Sequence, residues 1–151
     1  ASCSPNHGRG VVAMLYIADT NVISELVKKE PSPNVLGWCE SHEDELALTV
    51  VTIEEMHFGA LMLPEGKRRT KLLETIAQII DVYESRTFSF DARAALECAR
   101  LHRKAIAVGR TPTIEDLMIA AICVCQDATL ATRNVKDFDY LGIRLVNPFE
   151  G

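Results

Sequence analysis

Leu15-Tyr16-Ile17-Ala18-Asp19-Thr20-Asn21-Val22 is the stretch whose reading decides the fold. An apolar run of β-type residues ends abruptly in Asp-Thr-Asn. Helical spacing follows at once in Val22, Ile23, Leu26 and Val27. This predicts a buried first strand whose carboxyl end delivers Asp19 to the top of a sheet. In open α/β sheets ligands bind beyond the carboxyl ends of the strands, so Asp19 stands where chemistry is done. The plainer alternative is that Asp19 or Thr20 only caps the next helix.

Outward from that stretch, strands and helices alternate. A first helix is predicted over about 20–28, stopped by Pro31 and Pro33, and a second over about 34–41. Leu46 to Val51 reads as the second strand, and Thr52 opens a helix to about Leu63. Pro64-Glu65-Gly66 breaks the chain before a longer helix over about 67–83. Thr87 to Phe90 is a short strand, and Asp91 caps a helix over about 92–107. After Gly109-Arg110-Thr111-Pro112 comes a helix over about 114–126, then a strand at Thr129 to Thr132. A loop or short helix over 134–140 leads to the last strand, Ile143 to Val146. Such alternation implies an α/β fold, a parallel sheet covered by helices on both faces.

The bulk properties bound the possibilities. A chain of 151 residues suits one domain with a sizeable core. No apolar run approaches the roughly 20 residues of a membrane span. The net charge of −5 disfavours strong nonspecific binding to nucleic acid. It leaves room for an enzyme that holds a nucleic acid locally through a metal. The five cysteines form neither a CxxC pair nor a zinc spacing, and Cys98, Cys123 and Cys125 read as reduced, buried thiols of an intracellular protein. Residues 1–13 are small, polar and aperiodic. They are expected to be a disordered or vector-derived leader ahead of one domain over 14–151.

Three acidic positions repeat the logic of Asp19. Glu55 follows the second strand, Asp116 opens the helix over 114–126, and Asp137 comes just after the fourth strand. Thr52-x-x-Glu55 and Thr113-x-x-Asp116 also fit the capping-box pattern, so each acid taken singly reads at least as well as a cap. The neighbouring positions favour a site. Asp116, Ile119, Ala120 and Cys123 share one helix face, and Glu55, Phe58, Gly59 and Met62 repeat the spacing. Each carboxylate then starts an apolar stripe aimed at the core, whereas Glu54 and Glu115 point to solvent. A carboxylate at such a rim is costly unless paired or bound to a metal. No Lys or Arg is obviously dedicated to these groups. Converging carboxylates would raise each other's pKa values, and a divalent cation resolves the repulsion. Oxygen-only ligands favour Mg²⁺ or Mn²⁺ over zinc, for metal-assisted phosphoryl chemistry.

At these residues the chain resembles the PIN-domain ribonucleases, and within them the VapC/FitB-type toxins of prokaryotic toxin–antitoxin pairs. The matching pieces are Leu15 to Glu25, Thr52 to Gly59, Ile114 to Ala121, Ala131 to Phe138, and the closing Asn147-Pro148-Phe149. Their order and spacing agree over essentially all of 14–149. The resemblance implies a single PIN-like domain with a sheet of about five parallel strands and a metal-dependent endoribonuclease of the cytoplasm. It implies Asp19, Glu55 and Asp116 as metal-binding acids, with Asp137 completing the catalytic set and Asn21 and Thr132 as polar helpers. Some relatives carry Asp where this chain has Asn134, so the fourth acid here is Asp137 or is missing. The resemblance further implies a small DNA-binding antitoxin, VapB-like or FitA-like, and a homodimer. Trp38 and the apolar residues of the first four helices are candidates for those surfaces, against ordinary core packing for Trp38.

RNA needs phosphate contacts. Arg110 and Arg133 are the better candidates because they sit beside the site loops, whereas Lys67-Arg68-Arg69 with Lys71 reads as a solvated face. The four histidines build no catalytic set, and nucleophile motifs and Gly-rich phosphate loops are absent. A competing reading is a catalytically silent PIN-like module that acts by binding a DNA-bound partner protein. A phosphatase on a similar sheet would call for Asp-x-Asp after the first strand, where Asp19 is followed by Thr and Asn.

Overall fold

A computed structural model describes residues 14–150. The expected leader, residues 1–13, lies outside the described residues. Five parallel strands form one sheet: β1 (Tyr16–Ala18), β2 (Leu46–Thr49), β3 (Thr87–Phe88), β4 (Thr129–Ala131) and β5 (Leu145–Val146). Six α-helices lie between them: α1 (Thr20–Leu26), α2 (Pro33–Ser41), α3 (Val50–Leu61), α4 (Lys67–Val82), α5 (Ala92–Ala107) and α6 (Ile114–Cys125). The strand order is β3-β2-β1-β4-β5. The expected α/β class and five-stranded parallel sheet are therefore present.

Side chains alternate across each strand, and the core divides accordingly. Ile17, Ala47 and Leu130 face α5 and α6, in a cluster with Leu101, Leu117, Ile119, Ile122 and Phe138. Their neighbours Ala18, Leu46, Leu48 and Ala131 face the other way, onto Val22, Ile23, Val35, Met56 and Ile76 of α1 to α4. Both faces are covered, which is why these strands read as continuous apolar runs. Cys39, Cys98, Cys123 and Cys125 are free thiols in these cores.

The order matters for function. From β1 the sheet grows one way through β2 and β3, and the other way through β4 and β5. The carboxyl ends of β1 and β4 therefore flank the point where the winding reverses, the usual ligand crevice of an open α/β sheet. Asp19 and Thr132 each directly follow one of those two strands.

Two local readings are corrected. The second strand ends at Thr49, not Val51, and Thr49 rather than Thr52 caps α3, accepting a hydrogen bond from the Thr52 amide at 3.2 Å. Glu55 is thus in the second turn and belongs to no capping box. The stripe on α3 also differs. Its buried residues are Val51, Thr52, Met56 and Ala60, while Phe58 and Met62 are 57% and 69% exposed. The helix is apolar almost all round, so periodicity alone selects no face. The stripe on α6 stands, with Ile119, Ala120 and Cys123 buried behind Asp116.

Trp38 is half-buried, edge-on to Tyr16 at 5.2 Å and stacked with His42 at 4.4 Å, which is ordinary packing. Thr49→Ala removes a buried cap and is expected to cost about 1 kcal/mol, a fall in Tm of roughly 2–4 °C by calorimetry.

Candidate active site

Asp19 is both a cap and a site residue. It is the N-cap of α1, and its Oδ1 accepts the Thr20 amide at 2.8 Å. Its Oδ2 accepts the Thr132 hydroxyl at 2.8 Å and the Asn21 amide Nδ2 at 3.2 Å. Asn21 also joins the two loops, since its Oδ1 accepts the Arg133 amide at 3.1 Å. The Asn134 amide donates to the Thr132 hydroxyl oxygen at 3.0 Å. Three donors from the ends of β1 and β4 thereby hold one buried carboxylate in a single orientation. Burial raises the Asp19 pKa in spite of these donors, and the nearby Asp137 charge adds to the rise.

Glu55 reaches the same crevice from α3. Its Oε1 accepts the Thr20 hydroxyl at 2.8 Å. Burial, then the charges of Asp19, Glu115 and Glu54, lift its pKa. Asp116 stands in the first turn of α6, whose N-cap Thr113 accepts the Asp116 amide at 3.2 Å. Burial, then the charges of Asp19, Asp137 and Glu55, push the Asp116 carboxyl up to about 6.

Asp137 ends a short 3₁₀ turn, Val135–Asp137, and shares a pocket of about 250 Å³ with Asp116. Phe138 behind it is fully buried and anchors that turn. The charges of Asp19, Asp137 and Glu55 thus all act on Asp116, although the four acids come from four separate chain segments. Asn21 and Thr132 stand in the places expected of them. Glu54 points to solvent as expected, while Glu115 is half-buried.

The two arginines differ from the simple expectation of free phosphate contacts. Arg133 lies over the Phe149 ring, 4.8 Å from its centre. Arg110 lies over Tyr140 at 4.3 Å and donates to the Lys136 carbonyl at 2.7 Å. Sequence reasoning missed Thr20 as the Glu55 partner and Tyr140 as the Arg110 support. Thr20 had a usable signal, being the hydroxyl directly after Asp19. Tyr140 had none, because the pairing joins two loops about thirty residues apart.

Among the described residues the ion pairs are Lys28–Glu25, Arg100–Glu97 and Arg144–Asp127, so none neutralises the four acids. No group of three or more His, Cys, Asp or Glu side chains among the described residues stands close enough to hold an ion as it is. The chemistry of the donors nevertheless fits a hard divalent cation. Mg²⁺ keeps several waters and uses one or two carboxylates, so it does not require three converged side chains. Crowded carboxylates without a basic partner, three of them with raised pKa values, are what such an ion relieves.

Thr132→Val deletes the strongest donor to Asp19 while keeping side-chain volume. It is expected to raise the Asp19 pKa further and weaken divalent-ion binding about tenfold by calorimetric titration, in line with the loss of a ligand-orienting partner.

The PIN domain family matches residues 16–142. The chain is similar to VapC ribonuclease Y4jK of Sinorhizobium fredii, at 35% identity over 90% of this chain and 99% of that protein. It is similar to the plasmid stability protein StbB of Pseudomonas syringae pv. tomato, at 34% identity over the same shares. Among solved structures, FitAcB from Neisseria gonorrhoeae superposes with a TM-score of 0.85 at 29% identity, over 91% of this chain and all of that one. FitAB bound to an IR36 DNA fragment gives 0.84 at 30% identity, over 89% of this chain and 96% of that one.

Proposed function

The chain belongs to the PIN-domain family, and from that premise we propose that it is an endoribonuclease acting as the toxin of a toxin–antitoxin pair. The observation that carries the reading is the unneutralised carboxylate set, gathered around buried Asp19, at the switch point of the sheet. The names of the relatives, a VapC ribonuclease and the FitB toxin among them, point the same way.

The reaction is phosphodiester hydrolysis in RNA. Asp19, Glu55 and Asp116 would hold Mg²⁺ or Mn²⁺ directly or through water, and the ion would supply charge stabilisation at a phosphodiester oxygen and a more acidic water. The protein's own part is positioning. Thr132 and Asn21 fix the direction of the Asp19 oxygens, and Thr20 fixes Glu55. Asp137, exposed at the mouth of the pocket, orients the attacking water or accepts its proton. Arg133 and Arg110 meet the phosphates of the strand.

The partner is a small DNA-binding antitoxin, by likeness to relatives whose structures are complexes with DNA or antitoxin. The exposed apolar residues of α3, Phe58, Leu61 and Met62, suit a homodimer contact. No described helix is long and apolar enough to cross a membrane, and the enzyme acts in the cytoplasm on this reading.

The test is cleavage of a mixed RNA pool by the purified chain with Mg²⁺, with Mn²⁺ and with EDTA. Cleavage that needs the ion supports the reading. Absence of cleavage by protein free of any co-purified partner would leave the silent partner-binding module in its place.

A further inference from the structure

We propose that Arg110 and Tyr140 form a phosphate-binding subsite for the RNA strand, next to the cleavage site, which also holds the loop carrying Asp137. This rests on the ribonuclease reading and deepens it.

The pocket shared by Asp116 and Asp137 has a second wall, made by Arg110, Pro112 and Tyr140. At about 250 Å³ it has room for a phosphate together with ordered water. Gly109, at φ +74°, turns the chain out of α5, and the Arg110 amide returns to the Ala105 carbonyl at 2.9 Å. That turn carries the Arg110 side chain across to the loop after β4. There the guanidinium is fixed twice, by the Tyr140 ring beneath it and by the Lys136 carbonyl.

Neither of those contacts cancels its charge. Arg110 lines the same pocket as two carboxylates and pairs with neither, since the ion pairs among the described residues lie elsewhere. A guanidinium carries five N–H donors in a planar fork, and only one is used on Lys136. A pre-aimed cation with spare donors is suited to an anion, and a phosphate is the anion a strand running past the acids would present. Free phosphate is disfavoured, because the facing carboxylates repel an anion not tethered to the strand.

The bond to Lys136 has a second effect. Lys136 directly precedes Asp137, so Arg110 ties the turn carrying that acid to the end of α5. A phosphate drawn to Arg110 tightens the position of Asp137 at the moment it is needed. Arg110 and Tyr140 are positioning residues in this account.

The experiment measures single-stranded RNA binding by fluorescence anisotropy over a range of salt. Asp19→Asn protein is used so that the RNA stays intact, with and without Arg110→Ala. Loss of one phosphate contact is expected to weaken binding about tenfold. It should also flatten the slope of log K against log salt by about 0.7. Arg110→Lys keeps the charge and should restore the slope while recovering only part of the affinity. In the otherwise natural protein, Arg110→Ala and Tyr140→Leu should raise KM more than they lower kcat.

An unchanged salt slope and KM in Arg110→Ala, with the natural chain cleaving normally, would overturn the subsite alone. A natural chain that neither binds nor cleaves RNA would overturn the subsite and the ribonuclease reading together. Inorganic phosphate that competes as well as an RNA oligomer would show a free-anion site and also sink the proposal. Should Arg110→Ala fail to fold, Arg110→Gln with its salt slope decides the matter.

Discussion

Asp19→Asn is expected to reduce RNA cleavage at least about a thousand-fold, the roughly 4 kcal/mol a central electrostatic group supplies to a transition state. The substitution changes charge and almost nothing else. An asparagine oxygen can still accept the Thr20 amide, so the cap of α1 survives. The Thr132 hydroxyl can rotate to accept from the new amide, although Asn21 Nδ2 then keeps only its longer bond to that hydroxyl, at 3.3 Å. Against that loss, a buried charge whose pKa is already raised has been removed. The Tm in EDTA should therefore stay within about 3 °C of the natural chain, read by calorimetry. Activity that survives the change would place the chemistry elsewhere. A collapse of Tm would mean that Asp19 is mainly a helix cap.

Asp116→Asn should also abolish cleavage, and it should make the ion-free protein more stable. The folded-state pKa of Asp116, about 6, lies above the ordinary 3.8. Such a carboxyl holds its proton more tightly in the folded chain than in the unfolded one. Its contribution to stability is fully present below pH 3.8 and is lost as pH rises through about 6. In EDTA the natural chain should gain stability from this group as pH falls from 7 to 5. Asp116→Asn should already have that gain at pH 7, on the order of 1 kcal/mol after solvent screening, or roughly 2–4 °C. Glu25 acts in the opposite sense. The Lys28 bond holds its pKa below the ordinary 4.5, so its stabilisation is lost only at lower pH. A saturating divalent ion should reverse the order of stability, because only the natural chain gains from binding it. A mutant that melts lower than the natural chain in EDTA at pH 7 would contradict the repulsion argument.

Much of this was legible before any coordinates. The Tyr16 to Asn21 stretch announces a strand end because β-type residues give way to a cap without a linker. The apolar spacing behind Asp116 announces an inward-facing acid. Both signals are local, and local signals survive in a single sequence. The start of α3 was not legible. Val50-Val51 favours a strand by propensity, and of two threonines able to cap, Thr49 and Thr52, the earlier one does so and moves the boundary. The outward turn of Phe58 and Met62 was hidden for a related reason, since a helix apolar on several sides carries no clear phase. Convergence of the four acids could be inferred only from their repeated places after strands. The supporting pairs, Thr132 with Asp19 and Tyr140 with Arg110, join distant segments of the chain, for which spacing has no code.

The hydrogen bond between Asp19 and Thr132 spans 113 residues of chain. On the ribosome Asp19 is made 113 residues before Thr132. A growing chain can form α1 and even the β1–β2 pair, yet it has no oriented Asp19 until the segment around residue 132 has left the exit tunnel. Asp137 follows later still. A copy terminated before residue 132 lacks the hydroxyl that orients Asp19. Ordering of the central carboxylate therefore waits on the long-range pairing of β1 with β4, so the part of the site closest to the start of the fold is among the last to be completed.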